Sequence, residues 1–128
     1  MPCIFCELDT NEALAKNKYF YAIRDKFPVT ELHTLLIPNR HVDSYFELTT
    51  SEIDAFNELL FSQKVELSKQ DKTISGFNIG FNAGETAGQT VMHCHIHLIP
   101  RRKGDMDNPE GGVRGVIPNK QKYKLAYC

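Results

Sequence analysis

The sequence predicts an α+β domain, an antiparallel sheet carrying helices. Three observations predict it. Several short stretches alternate apolar and polar residues with the period of two that marks a half-buried strand. One long stretch between them keeps apolar residues at helical spacing and opens with a capping signal. The connections between neighbouring stretches are short, which favours antiparallel pairing. A chain of 128 residues is long enough for one domain with its own core, and the expectation is a single domain over 1–128.

The elements follow in order. "KYFYAIRDKFP" (residues 18–28) is an expected strand, with Phe20, Ala22 and Arg24 alternating against Tyr19, Tyr21 and Ile23 until Pro28 ends it. "HTLLIP" (33–38) is a second, stopped by Pro38. "LTTSEIDAFNELLFSQKVELSKQ" (48–70) is the clearest helix. Thr49 can cap it, Glu52 completes a capping box, and Ile53, Phe56, Leu60 and Leu67 form the apolar stripe. Phe77, Ile79 and Phe81 alternate in a third strand that runs into the loop "NAGETAGQT", and Met92, Cys94, Ile96 and Leu98 alternate in a fourth. Residues 101–128 are rich in charge and glycine and are expected to be mostly extended or irregular.

Composition narrows the function. A net charge of −1 gives no broad field for nucleic acid or an anionic membrane, so an anionic ligand needs a local site. Apolar runs are too short for a membrane span, and "MPCIFCELDT" has neither the basic segment nor the apolar run of a secretory signal. Four cysteines in such a chain suggest reduced thiols and a cytoplasmic location.

The alternation in "GQTVMHCHIHLIP" puts His93, His95 and His97 on one strand face, successive rings roughly 6.6–7 Å apart. Such a row could be partly exposed surface, could share a metal, or could perform nucleophilic catalysis at phosphorus. Histidine suits the last, because its ordinary pKa keeps a neutral nucleophile available. The preceding loop supplies Asn82, Gln89 and Thr90, with glycines that let backbone N–H groups approach an anion. Cys3 and Cys6 form a C-x-x-C with too little chain before it for a thioredoxin-like motif, and one such pair is two ligands short of a structural zinc site. Cys94 should face the core and Cys128 should be free.

"AGQTVMHCHIHLIPR" closely resembles the signature of the histidine triad (HIT) family, His-x-His-x-His with alternating apolar residues. "RDKFPVTELHTLLIPNRHVDSYFELT" and "FNIGFNAGETAGQTV" extend the resemblance over nearly all of residues 3–102. "GDMDNPEGGVRGVIPNKQKY" is similar to the tail of some bacterial members. The resemblance implies an antiparallel sheet of about five strands, one long helix and a short N-terminal helix. It implies a nucleotide hydrolase or transferase, similar to diadenosine polyphosphate hydrolases. Such an enzyme cleaves an α-phosphate linkage of a dinucleoside polyphosphate or nucleoside phosphoramidate.

On the same footing His95 is the nucleophile, His97 contacts the phosphate or leaving-group oxygen, and His93 supports the nucleophile. Asn82, Gly88, Gln89 and Thr90 surround the phosphate, Asp25 takes the ribose hydroxyls, Phe5 packs on the base, and His33 hydrogen-bonds toward the triad. Phe5 could equally be core, Asp25 a turn residue, and His33 a satisfied buried histidine. Metal-binding relatives imply a structural zinc on Cys3, Cys6, His41 and His93. The family further implies a homodimer through the long helix and a sheet edge, with Phe61 at the interface. A nucleotide-binding regulatory module with little turnover is the competing function, and a hydrolase using all three histidines as metal ligands is a third.

Overall fold

A computed structural model describes residues 2–123; Cys128 lies outside the described residues. Five strands form one antiparallel sheet: β1 (Ala15–Lys16), β2 (Phe20–Arg24), β3 (Thr34–Pro38), β4 (Ile74–Gly80) and β5 (Ile96–Arg102). Their spatial order is β1-β2-β3-β5-β4, so β4 is an edge. The short N-terminal helix reduces to a single 3-10 turn, Thr10–Glu12, capped by Asp9. The tail, expected to be irregular, holds the end of β5 and two 3-10 turns, Gly112–Val116 and Pro118–Lys120.

The long helix α1 (Thr50–Gln70) begins where the sequence places it. Thr49 and Glu52 each accept the other's backbone N–H in a full capping box. Its buried residues are Glu52, Phe56, Leu59, Gln63 and Leu67, whereas Ile53 and Leu60 are only half-buried. Glu52 is buried on this stripe, held by the capping box and by Arg40, which donates to both carboxylate oxygens at 3.1 and 2.8 Å. Phe56 meets Phe20, and with Leu36, Cys94 and Ile96 they form the core between helix and sheet. Cys94 is therefore core, and burial pushes its thiol up to about 12.

The histidine strand is displaced from its expected position. Continuing the β3–β5 register from Leu36↔Ile96 would set Pro38 against Cys94. Proline has no N–H to donate, so the ladder stops. The Cys94 N–H donates instead to the Val42 carbonyl at 2.7 Å. His93 and His95 thus precede the ladder, and only His97 lies within it. β4 likewise ends at Gly80, and Phe81 leaves the sheet to stack on Tyr45 at 4.6 Å. Among the described residues no helix is long and apolar enough to cross a membrane.

Candidate functional site

Between β4 and β5 the chain makes a turn that only glycine accommodates easily, with Gly84 at φ 94° and Gly88 at φ 97°. Gln89 braces it from inside. Its Oε1 accepts the Gly84 N–H at 2.9 Å, and its Nε2 donates to the carbonyls of Asp43 and Val91. The Gln89 side chain is buried, committed to these three backbone groups, and absent from the lining of the neighbouring cleft. Asn82, Gly88 and Thr90 do face a cleft of about 530 Å³.

Hydrogen-bond donors decide the histidine tautomers. The Val29 N–H donates to His33 Nδ1 at 3.0 Å, so the His33 proton sits on Nε2. That Nε2–H donates to His97 Nδ1 at 2.9 Å, which leaves the His97 proton on its own Nε2. His95 Nδ1 lies 2.8 Å from the His93 carbonyl, which can only accept. The His95 proton is therefore on Nδ1, and Nε2 keeps a free lone pair. Burial, with His33 and His95 nearby, lowers His97 to about 4 and keeps it neutral at ordinary pH. Burial also lowers His33, against the opposing pull of Asp25.

His33 is set by a strained turn. Leu32 sits at φ 72°, unusual for a residue with a Cβ, and the turn is held by hydrogen bonds from Thr30 to the Pro100 carbonyl and from Arg102 to the Glu31 carbonyl. The cleft has a mixed lining: His95, His97, Thr90, Gly88 and Asn82 supply polar groups, and Phe5, Ile4, Leu8, Ile23 and the exposed Phe27 supply apolar surface. Phe5 is buried and its ring centroid lies 5.2 Å from that of His95. Asp25 lines the cleft as well, one oxygen accepting the Phe27 N–H and the other 3.5 Å from His33 Nε2. The rings of His95 and His97 lie 5.4 Å apart, closer than an ideal strand would set them.

His93 does not line this cleft. It is buried beneath it and turned toward the N-terminus, so the three imidazoles do not form one exposed row. Its Nε2–H donates to the Pro38 carbonyl at 2.9 Å, which presents the Nδ1 lone pair to Cys3, Cys6 and His41. These four donors all lie within 4.8 Å of one another. Individual separations are 3.3 Å for Cys3–His93, 3.3 Å for Cys6–His41, 3.5 Å for Cys6–His93 and 3.1 Å for His41–His93. A tetrahedron with ordinary Zn–S and Zn–N bonds has edges of about 3.4–3.6 Å for such pairs. The donor set fits zinc in type, number and spacing. Desolvation and the adjacent Cys3 sulfur raise the Cys6 thiol above its ordinary value.

In a second grouping, Asp25, His33 and His97, the His33 Nε2–H donates to His97 Nδ1 while one Asp25 oxygen lies 3.5 Å from that nitrogen, so a proton stands where a metal would need a lone pair. Neither grouping contains His95, so the described residues hold no site in which all three histidines share a metal. Sequence reasoning missed the groups that orient these rings: the Val29 N–H and the carbonyls of Pro38 and His93. They are backbone atoms, and no residue type announces them.

The HIT domain family matches residues 9–104. An uncharacterized HIT-like protein of Mycobacterium tuberculosis is 35% identical over 111 residues, covering 82% of this chain and 75% of its own length. An AP-4-A phosphorylase of the same species is 32% identical over 103 residues, 77% of this chain but only 52% of that protein. A HIT family protein from Bacillus anthracis superposes with a TM-score of 0.73 at 32% identity, covering 80% of this chain and 75% of that one. A Zn-bound histidine triad family protein from Mycobacterium smegmatis gives 0.69 at 28%, covering 83% and 79%. With its family matched from the first turn to the end of the histidine strand, the chain belongs to the HIT domain family.

Proposed function

We propose that this protein cleaves an α-phosphate linkage of a dinucleoside polyphosphate or nucleoside phosphoramidate through a nucleotidyl-histidine intermediate on His95. The observation that carries the reading is the tautomer of His95. Its Nδ1–H is tied to the His93 carbonyl, and its Nε2 lone pair is left beside a cleft into which His97 directs an N–H. The relation to an AP-4-A phosphorylase supports the dinucleoside class.

His95 Nε2 attacks the α-phosphorus and the bond to the leaving group breaks, the electron pair departing with that group. The His97 Nε2–H hydrogen-bonds to the leaving atom, where charge develops. With a phosphoramidate the leaving nitrogen takes a proton from solvent and departs as the neutral amine. The intermediate is a phosphoimidazolium whose Nδ1–H still donates to His93. Water then attacks phosphorus, His95 departs as neutral imidazole, and one proton goes to solvent. Thr90, Asn82 and the Gly88 backbone surround the phosphate, Asp25 receives the ribose, and Phe5 with Ile23 packs on a purine base.

Acid-free quenching during turnover of diadenosine tetraphosphate should trap one nucleoside monophosphate on the peptide containing His95. Rapid binding with no turnover and no adduct would leave a nucleotide-binding regulatory module. His33→Phe is expected to lower kcat by about 100-fold, the low end of the range for a lost proton-handling group, with a small change in KM. An equal rise in KM would instead mark His33 as a shape residue of the pocket.

Zinc on Cys3, Cys6, His41 and His93 would be structural, tying the N-terminal segment that carries Phe5 to the sheet. Arg40, beside His41, anchors that loop to the start of α1 through Glu52. The working unit is a single cytoplasmic HIT-like domain that pairs as a homodimer. Phe61 and Val65, apolar and exposed one turn apart on α1, support the pairing, as does the open edge of β4. Sedimentation at micromolar concentration should give a dimer, and Phe61→Asp should shift it toward monomer. A wild-type monomer would refute the pairing.

A further inference from the structure

A second cleft of about 540 Å³, almost equal in volume to the first, opens on the other side of His97. The two share Val29, Asn82 and His97. Its floor is the β4–β5 surface, with Ile99, and its far wall is the tail, with Met106, Val113 and Val116. The tail lies beyond the residues that match the family.

Three features indicate what this cleft takes. Gly80 is the cross-strand partner of His97, and a Cβ there would meet no atom within 4 Å. The missing side chain leaves open space beside His97, a residue that lines both clefts. Secondly, the tail wall is built closely: a Cβ on Gly111, at φ 87°, would collide with the Gln121 carbonyl. Val113 and Val116 are held by this turn with 65% and 77% of their surface exposed. Thirdly, Arg101 is neutralised. It donates to both oxygens of Asp105 at 2.8 Å and to Asn78 Oδ1 at 2.8 Å. With its one lining cation paired in this way, the cleft suits an uncharged apolar group, not a phosphate.

We infer that the second cleft is a leaving-group subsite, which receives the second nucleoside of a dinucleoside polyphosphate while the phosphates pass beside His97 and Gly80. The inference rests on the reaction proposed above and narrows its substrate class. A nucleoside phosphoramidate, whose leaving group is a small amine, reaches only the first cleft. The dinucleoside compound fills both. Apolar contact with the departing half orients the leaving oxygen toward His97 before the bond breaks.

The test compares kcat/KM for diadenosine tetraphosphate and adenosine phosphoramidate in wild type, Gly80→Val and the double variant Val113→Ser with Val116→Ser. Valine suits a strand position where a Cβ meets no neighbour, and the two serines replace exposed side chains, so each variant should fold. The ratio of the tetraphosphate to the phosphoramidate value is expected to fall about tenfold in each, the scale of discrimination by small apolar contacts. An unchanged ratio in the double variant would overturn the subsite and leave the proposed reaction intact. So would a change in sedimentation without a change in ratio, which would assign the apolar wall to a second copy of the chain. Failure of the wild type to cleave either compound would remove both the reaction and the subsite.

Discussion

Replacing His95 by alanine is expected to abolish turnover, by roughly 10⁴-fold or more in kcat, while nucleotide affinity changes only a few-fold. The size follows from losing a covalent catalyst with no substitute in the cleft. His97 cannot take over, because its Nδ1 is occupied by His33 and its Nε2 carries the proton. Nor can His93, which is buried with Nδ1 facing the cysteines. Affinity should survive because most of the cleft lining, including Ile4, Leu8, Ile23, Phe27, Asn82 and Thr90, comes from residues other than His95, and Phe5 alone loses a ring contact. His95→Asn, closer in shape, should be equally inactive. The check is single-turnover kinetics beside calorimetric titration with a non-hydrolysable nucleotide. Residual kcat within tenfold of wild type would sink the covalent mechanism.

Cys3→Ser with Cys6→Ser is expected to remove about one equivalent of zinc and to destabilise the protein by about 3 kcal/mol, the linkage contribution of a ligand held near 100-fold above its Kd. For a chain of this size that is about 10 °C in Tm. The sheet core should remain, because Phe20, Leu36, Phe56 and Ile96 pack independently of the N-terminus. Kinetically the double variant should raise KM much more than it lowers kcat. Phe5 lies between the two cysteines, and apart from its own packing its segment is held by few contacts, among them the Tyr21 hydroxyl donating to the Phe5 carbonyl at 2.8 Å. The nucleophile loses less, since the His93 carbonyl that orients His95 belongs to the strand approach. Zinc content by emission spectroscopy, with thermal melts in the presence and absence of chelator, measures the effect. A variant that still holds one equivalent of zinc, or wild-type protein that never binds it, would remove the site.

Periodicity and local chemistry were legible without coordinates. The capping box at Thr49 and Glu52, the strand ending at Pro38, and the core placement of Cys94 all depend on neighbours a few residues apart, so the linear sequence carries them. The strand expected to run to Pro28, by contrast, stops at Arg24. The resemblance carried the family and the donor set Cys3, Cys6, His41 and His93. What the three histidines do individually was not legible. The alternation treats them as equivalent, yet Pro38 ends the ladder, and its carbonyl fixes the buried His93 toward the cysteines. The Val29 N–H and the His93 carbonyl then assign the protons of His33, His97 and His95. Gln89, with the side chain of a ligand, is spent on the loop's interior. The second cleft arises because a tail residue, Val116, is brought within reach of a strand residue, Gly80. Each of these outcomes depends on a backbone group or a contact distant in sequence. Side-chain identity sets which atoms can donate or accept, but only the folded chain determines which partner each one meets.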